Sequence, residues 1–232
     1  MARITVVSPG ALGAHPLRGE KGDHRPAHAT TTLVESEGRK ILVDPSLPAA
    51  YLAPRLDERA GIKPEAITDV FLTDLRALRR RGLAACTGAR VCTFELELET
   101  SMAWLQEKLD EAEEAGDDDT AAAVNAEMEV LRNIEVADDK LARGVDLFPL
   151  PGVTNGLCGL LVSVPGGTIL IAGDAVPTAE HLEGAVVLAP AFDVKQAQES
   201  LREAVEIADA IVCGRDGLVL NPMRGSMSRG MG

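Results

Sequence analysis

The sequence predicts an α/β protein built from two mixed β-sheets with helices on their outer faces. Three observations carry that prediction. Short β-branched and apolar runs alternate with amphipathic stretches along most of the chain. Two strand pairs are joined by tight turns, Ser36-Glu37-Gly38-Arg39 and Pro165-Gly166-Gly167, which only antiparallel neighbours can use, so a fully parallel sheet fits worse. A hydrophobic content of 46% over 232 residues supports one sizeable core and is too little for two ordinary domains.

The elements follow in order. Residues 4–7 form a first strand. Residues 9–29 carry Pro, Gly and three of the four histidines with little periodicity, and read as a long surface loop. Residues 30–35 and 40–43 make a hairpin. Residues 48–59 read as a helix, with Pro64 beyond its end, and residues 70–73 and 90–94 as short buried strands. From 97 to 132 the pattern changes. Leu98, Met102, Leu105, Leu109 and Ala112 share one helical stripe, and Ala121, Val124, Met128 and Leu131 repeat it. Between them Gly116 ends one helix and Asp117, Asp118 and Asp119 cap the next. This helical hairpin has a narrow apolar seam and acidic outer faces. The seam suits packing on the domain's own body or a homodimerisation arm equally. Strands are then expected at 147–150, 158–164, 168–172 and 186–188. A helix capped by Asp193 and Gln196 buries Val194, Ala197, Leu201, Val205 and Ala208. Residues 211–213 form the last strand, and 221–232 a loosely held tail.

The net charge of −13 repels phosphate backbones and anionic lipids, and an aromatic content of 3% removes the usual stacking platform for single strands. Neither nucleic-acid nor membrane binding is expected, and no apolar run approaches the ~20 residues that span a bilayer. The N-terminus reads as a strand and not a signal peptide. Cys86, Cys92, Cys158 and Cys213 are scattered, as suits buried thiols of a cytoplasmic protein.

Residues 71–80, FLTDLRALRR, follow a predicted strand. They resemble the metal-binding signature of the metallo-β-lactamase superfamily, in which a strand ends in Thr and H-x-H-x-D-H follows. Four further blocks resemble the same family in order. Residues 31–45, TTLVESEGRKILVDP, look like its second hairpin, which ends in an aspartate, here Asp44. Residues 150–156, LPGVTNG, look like its TPGHTxG turn. Residues 169–176, ILIAGDAV, match the hairpin that ends in the metal-bridging aspartate. Residues 208–217, ADAIVCGRDG, match its final strand and G-H-D/G turn. The resemblance implies a four-layer αββα sandwich over residues 1–220, with the helical hairpin as an insertion at about 97–132.

Carried over, the family's seven metal positions fall on Asp74, Arg76, Leu78, Arg79, Val153, Asp174 and Arg215. A zinc site needs neutral imidazole or carboxylate donors. Arginine offers no lone pair and does not deprotonate, and Leu78 and Val153 have no donor atoms. Only Asp74 and Asp174 remain, enough at most for one weak Mg²⁺ or Ca²⁺. No cofactor and no catalytic residue is therefore expected. Asp74 and Asp174 count −2 against +3 from Arg76, Arg79 and Arg215. One reading is a set of guanidinium–carboxylate cross-links standing in for metal bonds. The other is a pocket whose surplus charge binds a small anion.

His15, His24 and His28 read as solvated loop residues, and His181 as a cap or solvated group. Ser8, Ser46 and the cysteines show no nearby base in sequence, and neither a G-x-S-x-G elbow nor a P-loop occurs. The first functional expectation is a non-catalytic homologue acting as a binding or interaction protein. The alternatives are a hydrolase that cleaves an ester, thioester or phosphoester with a rebuilt site, and an assembly protein that uses the acidic hairpin.

Overall fold

A computed structural model of the chain describes residues 1–221 and Met223. The tail expected over 221–232 lies, but for those two residues, outside what is described. The first half of the chain supplies β1 (Arg3–Ser8), β2 (Thr31–Ser36), β3 (Arg39–Val43), α1 (Ala49–Ala60), β4 (Asp69–Leu72) and β5 (Arg90–Thr93). The hairpin α2 (Glu95–Ala115) and α3 (Asp118–Arg132) follows, then β6 (Glu135–Val136), β7 (Lys140–Ala142) and β8 (Val145–Pro149). The rest comprises β9 (Cys158–Val164), β10 (Gly167–Ile171), α4 (Ala179–Gly184), α5 (Val194–Ile207), β11 (Ala210–Val212) and β12 (Leu218–Leu220).

Two six-stranded sheets result, in the orders β1-β2-β3-β4-β5-β6 and β12-β11-β10-β9-β8-β7. Both are mixed. β1, β2 and β3 are antiparallel while β3 to β6 run parallel. In the second sheet only β10 and β11 are parallel.

Strand alternation assigns the layers. In β3 and β4, Ile41, Val43 and Phe71 face the second sheet and meet Leu160, Val162 and Ile171. Leu42, Val70 and Leu72 point the other way, onto Leu52 and Leu56 of α1 and Leu105, Leu109, Met128 and Leu131 of the hairpin. On the far side Leu170 and Ile211 pack against Leu182 of α4 and Ala197, Leu201 and Ala204 of α5. The order is helices, sheet, sheet, helices. The hairpin's seam is thus used within the chain. Gly116 ends α2 in a left-handed cap, and Asp117 accepts from Thr120 N at 3.0 Å at the start of α3.

Several expectations are corrected. Residues 186–188 are irregular and not a strand. β6, β7 and β12 were not anticipated, because two- and three-residue strands are too short to show a period. Val194 is exposed. The buried face of α5 is Ala197, Ser200, Leu201 and Ala204, since Asp193 places Val194 at its first, outward-facing position. Among the described residues no helix is long and apolar enough to cross a membrane.

Candidate functional site

The loops that follow β3, β4, β8, β10 and β11 converge at one end of the sandwich. Asp44 closes β3 with a left-handed backbone, φ 48°, which aspartate tolerates better than most residues. Its Oδ1 accepts from Thr73 N at 2.9 Å and its Oδ2 from Thr73 Oγ1 at 2.7 Å, which ties the end of β3 to the end of β4. Asp74 comes next. Its Oδ1 accepts from Arg76 N at 3.1 Å and Arg76 Nε at 2.9 Å. Its Oδ2 accepts from Arg76 Nη2 at 2.5 Å and Arg79 Nε at 2.8 Å.

Arg79 sits on a single 3₁₀ turn and its side chain is 0% exposed. It reaches all three carboxylates. Besides Asp74, its Nη1 donates to Asp44 Oδ2 at 3.0 Å. Its Nη2 lies 2.7 Å from Asp174 Oδ1, at an angle that makes the contact ionic and not a hydrogen bond. Arg215 completes the network with a two-pronged grip on Asp174, Nε to Oδ1 at 2.8 Å and Nη2 to Oδ2 at 2.7 Å. Arg76 Nη2 adds a bond to Asp174 Oδ2 at 2.6 Å. Gly214 permits the close approach. A Cβ there would lie 2.4 Å from Gly173 O and 2.6 Å from Asp174 Oδ1.

All five residues singled out from the sequence, Asp74, Arg76, Arg79, Asp174 and Arg215, therefore come together. Asp44 joins them, and sequence reasoning missed it as a member of the site. The matched hairpin that ends in Asp44 was the available signal. Its inclusion corrects the charge count to three arginines against three aspartates, and the surplus positive charge disappears. Leu78 contributes only its carbonyl, which accepts from Ser46 Oγ at 2.7 Å. Val153 is buried.

Burial opposes ionisation of each acid, and the guanidinium groups decide the outcome. At Asp174 they win, and Arg79, Arg215 and Arg76 hold the carboxyl well below its usual range. At Asp74 burial is again overcome, by Arg76 and Arg79, and the carboxyl is held at about 2. At Asp44 burial prevails over the single guanidinium of Arg79, with Asp74 adding repulsion, and the carboxyl is pushed up to about 6.

A second buried carboxylate braces the loops. Glu97, in the first turn of α2, accepts from Leu75 N at 3.0 Å, Thr154 Oγ1 at 2.7 Å and Gly156 N at 3.2 Å. It links the 74–80 segment to the 150–156 turn. Burial raises its carboxyl, with Asp74 contributing in the same direction. Beside it opens a cleft of about 460 Å³, bounded by α2, α3, the 153–155 turn and Phe192, with Arg76 in its lining.

The histidines divide. His24 is exposed and His28 half-buried, but His15 is 3% exposed, and the solvated reading is corrected for it. Loop 9–29 folds back through an Ala11–His28 bridge and packs His15 against buried His181, their rings 5.5 Å apart. Thr178 Oγ1 lies between them, 3.2 Å from His15 Nε2 and 2.9 Å from His181 Nδ1.

The donor set does not fit the zinc centre implied by the resemblance. Every oxygen of Asp74 and Asp174 is already bound by guanidinium or backbone N–H groups, and the other five positions hold no donor side chain able to bind a cation. Among the described residues no three His, Cys, Asp or Glu side chains are grouped so as to hold a metal ion.

Comparison with known proteins places the chain. The sequence model of the metallo-β-lactamase superfamily matches residues 90–214. No curated protein matches significantly. Among solved structures, a putative metallo-β-lactamase from Thermotoga maritima superposes with a TM-score of 0.65 at 17% identity, covering 94% of this chain and 99% of its own. AidC, a dizinc quorum-quenching lactonase, gives 0.64 at 16%, covering 83% and 74%. A quorum-quenching N-acyl homoserine lactone lactonase gives 0.61 at 18%, covering 93% and 91%. At such identities the likeness is one of fold.

Proposed function

The chain belongs to the metallo-β-lactamase superfamily, and we propose that within it this protein is a non-catalytic homologue, a binding protein whose former metal site is closed by an ion-pair network. The observation that carries the reading is the bonding of Asp74 and Asp174, both fully buried, to three arginines at once. Two metal ions would bring positive charge between the loops; three guanidinium groups occupy that role and cross-link the same strand ends. They cannot polarise a bound water as zinc does, because they offer no open coordination position.

The lactonases among the neighbours share the fold, and fold does not license activity. A rebuilt hydrolase would need a base. Asp74, held at about 2, and Asp174, held lower than usual, are poor proton acceptors near neutral pH. The test is elemental analysis of protein purified with zinc supplied, together with assays on β-lactam, thioester and lactone substrates. The expected result is no stoichiometric zinc and turnover at background in wild type and in Asp174→Ala alike. One or two tightly held zinc ions per chain, or turnover that disappears in Asp174→Ala, overturns the reading.

A further inference from the structure

The cleft beside the network has the attributes of a small-ligand site, and its electrostatics select the ligand class. Its volume of about 460 Å³ lies in the range of small-molecule pockets. Its two lining aromatics, Trp104 and Phe192, are 57% and 71% exposed. Large apolar side chains left in water around a concavity rimmed with polar groups mark a binding surface. The remaining apolar lining, with Leu105, Leu131 and Val153 among it, continues into the buried core.

One polar group in the lining stands apart. Arg76 is 38% exposed and gives its Nε and Nη2 to Asp74 and Asp174. Among the described residues its Nη1 has no hydrogen-bond or ion-pair partner, so two N–H groups are left for solvent or a ligand. The charge of the surroundings decides which kind of acceptor fits there, and the surroundings are neutral to negative. Arg76 already faces two carboxylates. The other charged residues of the lining are Glu97 and Glu127, the second paired with Arg80. Against the chain's −13, an anion meets repulsion at long range and no surplus cation at short range. A cation would face the Arg76 guanidinium directly. An uncharged oxygen satisfies the N–H groups without either cost.

We propose that this cleft binds a neutral, largely apolar molecule that places an uncharged carbonyl oxygen against Arg76 and its apolar body against Trp104 and Phe192. The inference rests on the binding-protein reading and specifies its ligand class. No bond is made or broken.

Trp104 is the chain's one tryptophan, so its emission reports on the cleft directly. The experiment titrates the protein with octanamide, octanoate and octylamine, which share a chain and differ in the charge of the head. The expected result is a saturable change in Trp104 emission with octanamide, and binding at least about tenfold weaker for the two charged heads. Phe192→Ala, at an exposed position, should weaken octanamide binding several-fold while the ligand-free melting temperature stays unchanged. Equal affinity for all three heads, or no saturable change with any, overturns the proposal. Octanoate release is followed in the same samples. Saturable octanamide binding accompanied by octanoate release would keep the cleft and overturn the non-catalytic reading. No binding, with no zinc and no turnover, would overturn this inference and leave that reading standing.

Discussion

Asp174 is the residue on which most of the network depends, because three guanidinium groups from three positions meet on it. Asp174→Ala would strand buried positive charge, and we expect a loss of about 3–5 kcal/mol, read from chemical denaturation. Asp44 gives a prediction of opposite electrostatic sign. Its carboxyl is raised by burial from 3.8 to about 6 in the folded protein. The folded state then holds the extra proton between those values. Its contribution is full below the unfolded value and is lost as pH rises through about 6. Asp74, lowered to about 2, stabilises above the ordinary 3.8 and loses that contribution as pH falls through about 2. Urea midpoints measured between the ordinary 3.8 and about 6, above the window in which Asp74 titrates, should fall with rising pH in wild type, and that slope should flatten in Asp44→Asn. The same slope in both proteins would exclude Asp44 as its source. The four cysteines are buried, and burial pushes Cys86 up to about 11 and Cys92 and Cys158 up to about 12. Thiol reagents should label none of them until the protein unfolds.

At the scale of elements, the site depends on how closely the 150–156 turn approaches two helices. Gly152 has a φ of 127°, and a Cβ on it would lie 2.1 Å from Ala197 N at the start of α5. Gly152→Ala therefore has to displace backbone, and should lower the melting temperature more than Gly38→Ala, where nothing lies within 4 Å although φ is also positive. Glu97 holds the other side of the turn by accepting from two backbone N–H groups and a hydroxyl. In Glu97→Gln an N–H₂ group replaces one acceptor among these donors, and we expect a loss of about 1–3 kcal/mol. Unchanged stability would mean that the carboxylate is not what braces the loops. Neither bond was legible in sequence. Glu97 reads there as one more acid of a charged helix, and only the return of the chain some 60 residues later gives it partners.

Over the whole molecule, charge is concentrated. Residues 95–132 hold 13 acidic and 2 basic side chains, which accounts for −11 of the chain's −13. The apolar seam of that hairpin packs into the cluster that covers the outer face of the first sheet. A homodimer through the hairpin would have to use its outer faces and set like charges against each other. Sedimentation at low salt should accordingly show a monomer, and a dimer that persists there would show contacts strong enough to override the repulsion. Added salt should raise the melting temperature by screening the hairpin.

The sequence by itself determined the longer strands and helices and the helical hairpin with its caps, because each rests on local periodicity or turn chemistry, whereas the short β6, β7 and β12 show no period and residues 186–188 form no strand. It also determined that the positions the resemblance assigns to metal ligands hold no histidine, since donor atoms are a property of residue type. The tertiary structure decided the rest. Residues 44, 74 and 79 are brought together by the pairing of β3 with β4 and residues 174 and 215 by the pairing of β10 with β11, and the two groups meet only when the sheets stack; the neutral charge count depends on Asp44 turning inward at one left-handed residue. His15 is buried for the same kind of reason. Nothing within residues 9–29 says that the loop folds back onto Thr178 and His181, because its partners lie more than 160 residues away.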